Sequence, residues 1–209
     1  MARPARKKIS SASKAKSAKK MVQKARSAAR KAVPKTKKIS VKAVKKISAK
    51  PSKKTTGLAI GSKAPDFSMP ATDLGTTSLA NLKGKPFVLY FYPKDDTSGC
   101  TAEACEFRNN LSAFNRLGIT IIGVSKDSME SHEKFKRKYS LTFPLASDEN
   151  TKVCEAYGTW MTKSMYGRSY MGIERTTFLV DEKGIIRTIW RKVSVTGHIE
   201  EVKKAAQTL

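Results

Sequence analysis

The run Pro93-Lys94-Asp95-Asp96-Thr97-Ser98-Gly99-Cys100, followed five residues later by Cys105, holds the residue types from which a reactive thiol is built. Sulfur attacks as the thiolate, and an ordinary cysteine, with a pKa of about 8.5, is mostly protonated at neutral pH. A thiol becomes more acidic where unpaired backbone N–H groups converge at the start of a helix, because that end favours negative charge. The flanking sequence predicts such a start. Phe87-Val88-Leu89-Tyr90-Phe91-Tyr92 is a continuous apolar run ended by Pro93 and reads as a buried strand. Beyond it, Ala104, Phe107, Leu111 and Phe114 recur at helical spacing, which predicts a helix from about Cys100 to Leu117 with Gly118 as its stop.

The elements that would position this thiol follow from the rest of the pattern. Asp66-Phe67-Ser68-Met69 reads as a first extended piece, and 77–83 as a turn closing on Gly84. Ile119 to Ser125 is a second buried strand, so strand, helix and strand form a unit that implies parallel pairing. Asp127 or Ser128 can cap a helix carrying Met129, His132, Phe135 and Tyr139. Phe143-Pro144-Leu145 is a short extended piece before a helix near Thr151 to Tyr157. Thr176 to Val180, a turn at 181–184 and Ile185 to Trp190 read as a β-hairpin, and a last helix runs from about His198 to Gln207. The stretch from Trp160 to Tyr170 reads as a loop whose aromatics pack or shape the mouth of the site. Such alternation finishing in a hairpin and a helix predicts an α/β fold with a mixed central β-sheet flanked by helices, compatible with a thioredoxin-like core.

Charge divides the chain in two. The first 56 residues hold 21 of the 42 Lys and Arg and none of the 17 Asp and Glu, so the remainder carries 21 bases against 17 acids, or +4 of the total +25. That first segment also lacks aromatics and cannot bury enough apolar surface to offset its ordering entropy, so 1–56 is expected to be a disordered basic tail. Residues 57–209 hold every Phe, Trp and Tyr and suit one compact domain. No apolar run approaches the roughly 20 residues of a membrane span, and no apolar core of a secretory signal follows the N-terminal charges. Three cysteines do not make a disulfide framework and fit a reducing compartment. His132 and His198 are far apart, lack the spacing of metal ligands and read as surface or capping residues, so neither metal nor cofactor is expected.

Pro93-x-x-x-Thr97-x-x-Cys100 resembles the Pro-x-x-x-Thr-x-x-Cys motif of peroxiredoxins. With Cys105, the leading segment Gly61-x-x-Ala64-Pro65-Asp66-Phe67 and the block Gly172 to Asp181, the chain from Ala59 to Leu209 is similar to their bacterioferritin-comigratory, or PrxQ-like, subgroup. The resemblance implies a thioredoxin-like fold and a peroxidase acting on hydrogen peroxide and organic hydroperoxides. It makes Cys100 the peroxidatic thiolate and Cys105 the resolving thiol, with thioredoxin or a similar dithiol reducing the resulting disulfide. By the same resemblance Thr97 hydrogen-bonds the thiolate and the peroxide, Arg175 lowers the thiol pKa and holds the peroxide, and Pro93 shields the sulfur from water. With both cysteines in one chain the cycle requires no partner subunit, so a monomer is expected. Cys154 has no place in the motif and reads as a structural residue.

The Lys-Ala-Ser-Pro texture of the tail resembles linker histones and bacterial histone-like proteins, which suggests non-specific association with nucleic acid. A solvated extension or a cleaved targeting peptide is the plainer alternative. Cytoplasmic residence, with association to a nucleoid, is the expectation, nucleus or plastid being the alternatives. A second reading is a nucleoid- or chromatin-binding protein whose thioredoxin-like part is a redox sensor. A thioredoxin-type disulfide exchanger fits poorly, because the chain has no Cys-x-x-Cys pair.

Overall fold

The computed structural model describes residues 58–165 and 167–209. The basic segment 1–56 and Tyr166 lie outside the described residues.

The strand read from Phe87 onward is β3 (Phe87–Phe91), and all five residues are buried. A strand buried on both faces must send alternate side chains to two cores. Phe87, Leu89 and Phe91 join one cluster with Phe67, Val124, Tyr157 and Phe178. Val88, Tyr90 and Tyr92 join another with Phe107, Phe114, Phe135 and Val202. Preceding β3 are an antiparallel pair, β1 (Ser68–Ala71) and β2 (Gly75–Ser78), and one 3-10 turn at Ala80–Leu82. The segment expected to be a plain turn at 77–83 therefore contains the end of an edge strand.

After β3 the chain enters α1 (Ser98–Arg116). Gly118 ends it with a φ of +70°, a left-handed conformation that glycine adopts without a Cβ penalty. β4 (Thr120–Ser125) then pairs parallel with β3, Leu89 opposite Ile122. Ser128 caps α2 (Met129–Tyr139), its side chain accepting from the Ser131 N–H. β5 (Leu145–Ser147) extends the parallel set, and α3 (Lys152–Ala156) follows.

β6 (Trp160–Met165) and β7 (Arg168–Ile173) form a separate two-stranded antiparallel ribbon, which corrects the loop expected there. The chain returns through β8 (Thr176–Val180) and β9 (Ile186–Arg191), the expected hairpin, and ends in α4 (His198–Ala206). The main sheet has the order β2-β1-β5-β4-β3-β8-β9 and is mixed, with β8 antiparallel to β3. This is a thioredoxin-like α/β fold. Among the described helices none is long and apolar enough to cross a membrane.

Candidate active site

Strand β3 delivers the chain to the edge of the core, and the loop 93–97 turns it into α1. Thr97 is the N-cap, in extended conformation at φ −95° and ψ 149°, and Cys100 occupies the third helical position. The first N–H groups of a helix have no intrahelical acceptor, so Cys100 lies in the turn that carries the positive end of the helix dipole. Cys100 is 1% exposed, in the cluster that contains Tyr90, Tyr92, Ala104 and Phe107.

Arg175 arrives from the other end of the sequence, on the link between β7 and β8. Its main-chain carbonyl accepts from the Val193 N–H, which fixes the backbone, and its side chain divides between two partners. Nη2 lies 3.3 Å from Cys100 Sγ, and Nη1 is bonded to Glu103 Oε2. One turn past Cys100, Glu103 is fully buried on α1, and its second oxygen has no hydrogen-bond partner. Burial raises its carboxyl to about 7 against the opposing charge of Arg175. Gly99 makes room for this contact, since a Cβ there would stand 3.2 Å from Arg175 Nη2.

A cleft of about 560 Å³ opens beside the thiol's loop, lined by Pro93, Thr97, Lys126, Trp160, Lys163 and Tyr170 among others. The β6–β7 ribbon forms one wall. Lys126 lies over the Trp160 ring at 5.6 Å, and the Lys163 ammonium is pulled down by partial burial and by the nearby Arg175. The arrangement sets a cationic, partly apolar cleft beside the loop that leads to a buried sulfur at a helix start, with a guanidinium in contact with that sulfur.

Residues 60–189 match the AhpC/TSA family. Peroxiredoxin Bcp of Bacillus subtilis is 49% identical over 152 residues, covering 73% of this chain and 95% of that protein. Peroxiredoxin Bcp of Escherichia coli is 38% identical over 145 residues, covering 69% and 93%. Among solved structures, Xanthomonas campestris Peroxiredoxin Q superposes with a TM-score of 0.65 at 40% identity, covering 68% of this chain and 90% of that one.

The chain belongs to the AhpC/TSA family. It is a peroxiredoxin similar to the Bcp and PrxQ proteins, a peroxidase that acts on peroxides at the expense of thiols.

In this peroxiredoxin Cys100 and Arg175 are brought together, and Thr97 and Pro93 line the adjoining cleft. The Thr97 hydroxyl donates to the Lys94 carbonyl at 3.0 Å, so its one proton is committed within the loop and reaches sulfur or peroxide only after turning away. Pro93 is exposed on the cleft wall. Cys105 lies five residues along the same helix, half-buried and free. Cys154 is buried and free, and burial, then Asp148, pushes its thiol far up, as suits a structural cysteine.

Both histidines depart from the sequence expectation of surface or capping residues. His132 is completely buried against Asp95, and His198 is buried with Nε2 2.9 Å from Thr177 Oγ1. Burial, then Arg175, lowers His198 to about 4, so its ring is neutral at physiological pH. Glu103 and Gly99 went unread although both border the motif. The available signal was spacing: Glu103 is three residues from Cys100, on the same helical face.

Glu103 makes stability depend on pH. Its carboxyl binds a proton more tightly folded than unfolded, so its contribution is most favourable below the unfolded value of 4.5 and is lost as pH rises to about 7. Glu103→Gln is expected to flatten the stability profile of the wild type in that window by at most about 3.5 kcal/mol, about 1.4 per pKa unit. Denaturant unfolding at pH 5 and pH 8 reads the difference, and parallel profiles in the two proteins would exclude it.

Proposed function

We propose that Cys100 is the peroxidatic cysteine of this peroxidase and Cys105 its resolving partner. The supporting observation is the Arg175 guanidinium held 3.3 Å from a sulfur in the first turn of α1. Attack of the thiolate on the nearer peroxide oxygen forms an S–O bond and breaks the O–O bond. The electron pair leaves on the departing oxygen, which takes up a proton. Donors already aimed at that charge stabilise the transition state more than the ground state. Arg175 supplies one, and Thr97, once released from Lys94, a second. Pro93 limits water at the cleft wall.

The product is a sulfenic acid on Cys100. The Cys105 thiolate attacks its sulfur, a disulfide forms and water leaves. Two electrons from a dithiol, of which thioredoxin is the expected source, restore both thiols. Both cysteines belong to one chain, so a monomer suffices, and cytoplasmic residence supplies such a reductant. The test is to trap the sulfenic acid in the Cys105→Ser variant with a carbon nucleophile after one equivalent of hydrogen peroxide. Label on Cys100 is expected; label confined to Cys105 in wild type or to Cys154 would overturn the assignment.

The basic segment 1–56 adds a second proposal, that it holds the peroxidase on nucleic acid without reading sequence. Its support is the 21 bases and absence of acids. Retention on duplex DNA is expected to fall with a log–log salt slope of about −0.9 per phosphate neutralised. Deleting 1–56 should abolish retention and leave peroxide turnover unchanged. Retention that survives deletion refutes the proposal.

A further inference from the structure

We propose that Asp95 and His132 are positioning residues for Cys100, a buried pair that pins the loop 93–97 to α2 and so fixes where α1 begins. The inference rests on the reading of Cys100 as the peroxidatic cysteine.

Its first support is an anomaly of burial. Pro93, Lys94, Asp96 and Thr97 are exposed, yet Asp95 in their midst is 6% exposed. A buried carboxylate is costly unless hydrogen-bonded, and this one is bonded from three sides. Tyr92 Oη donates to Oδ1 at 2.7 Å, Ser131 Oγ donates to Oδ2 at 2.7 Å, and His132 Nδ1 lies 2.9 Å from Oδ2. The Asp95 N–H donates to Asp127 Oδ2 at 2.8 Å, and Asp127 is itself held by the Ser125 hydroxyl. Burial works to raise the Asp95 carboxyl, but the bonds from His132, Ser131 and Tyr92 outweigh it and keep it below its usual value.

His132 is fixed at both ends of its ring, since Nε2 lies 3.3 Å from the Ala146 carbonyl on β5. The adjacent Asp96 adopts a left-handed φ of +55°, and its carboxylate accepts from Lys138 Nζ at 2.7 Å and Tyr139 Oη at 2.5 Å. Two consecutive loop carboxylates therefore hold opposite ends of α2, Asp95 the first turn and Asp96 the last. The next residue is the N-cap of α1, and Cys100 lies within the turn that this cap begins.

Asp95 is the one buried residue of 93–97, so its bonds are the loop's interior anchorage. If Asp95 is released, Thr97 loses its fixed direction and the first turn of α1 frays. The sulfur then leaves the 3.3 Å contact with Arg175. A misplacement of about 1 Å at a reacting atom can cost roughly 100-fold in rate. The pair touches neither sulfur nor substrate and acts only through the loop.

The test separates two steps by stopped flow on the full chain: oxidation of Cys100 by peroxide, and the disulfide formation that follows. His132→Leu is expected to slow oxidation about 10- to 100-fold. The disulfide step should be no slower, because the turn it must open is already loosened. His132→Gln keeps an N–H donor for Asp95 and should regain most of the oxidation rate. Oxidation of His132→Leu at the wild-type rate, or equal losses in both variants that track their melting temperatures, would overturn the proposal. If His132→Leu does not fold, Ser131→Ala decides: oxidation slowed at unchanged melting temperature supports the proposal, and an unchanged rate sinks it. Failure of the underlying reading looks different, since wild type and Cys100→Ser would then consume peroxide alike.

Discussion

Arg175→Met is expected to lower the second-order rate of Cys100 oxidation by about 10²- to 10³-fold, the usual loss on removing one preorganised donor from a developing negative charge. The guanidinium is the one side-chain cation that the structure places in hydrogen-bond contact with the sulfur among the described residues. It also holds Glu103, so a methionine leaves a buried carboxylate without its partner. That carboxyl already sits at about 7 and takes up a proton when the opposing charge is gone, which limits the cost to folding. Arg175→Lys separates the two roles. A lysine keeps the charge but has no rigid fork with which to reach Cys100 and Glu103 together, so it should preserve most of the stability and little of the rate. Stopped-flow oxidation beside denaturant unfolding measures both. Arg175→Lys oxidised as fast as wild type would show that charge alone suffices and that the fork is unnecessary.

The same pair shows what the sequence could express. Strand β3 and helix α1 were legible because their apolar residues follow periods that only one packing satisfies: both faces of β3 buried, and one face of α1 on the sheet. Arg175, 75 residues from Cys100, carried no physical signal of its own. It was found only because its block resembles a known family. Glu103 was missed for the opposite reason. It sits beside the motif, but an acidic residue on a helix is ordinarily solvated, and its burial depends on a partner that arrives from β7 and β8. Asp95 and His132 were missed likewise, since a loop aspartate and a lone histidine signal nothing until α2 folds against the loop. The β6–β7 ribbon escaped because Trp160 to Ile173 alternates poorly: Ile173 and Trp160 reach the core, while Lys163, Tyr170 and Met171 line the cleft. Its two-residue connection ending in Gly167, at φ +74°, was the overlooked sign.

On the proposed roles of Cys100 and Cys105, helix α1 must open for the cycle to close, and Cys105→Ser should abolish the intramolecular disulfide while leaving the first oxidation of Cys100 unchanged. Residues five apart on an α-helix are separated by about 7.5 Å along its axis and lie about 140° apart around it. A disulfide requires Cα atoms within about 6.8 Å and converging Cβ directions. In the structure Cys100 is the third and Cys105 the eighth residue of an uninterrupted helix, both free. Bond formation must draw the Cys100 sulfur out of its cluster with Tyr90 and Phe107, away from Arg175, and unwind the turn between the two thiols. Hydrogen exchange of 101–106 should accordingly be protected in the reduced protein and fall to the level of a frayed end in the disulfide form. The anchors at Asp95 and Asp96 set the near limit of this unwinding, so 87–95 should keep its protection in both states. Equal protection of 101–106 before and after oxidation would rule out the Cys100–Cys105 bond. Cys154 is a poor substitute, because burial and then Asp148 push its thiol up and lower its thiolate fraction, so the sulfenic acid of Cys105→Ser should persist until an external thiol or further peroxide reaches it.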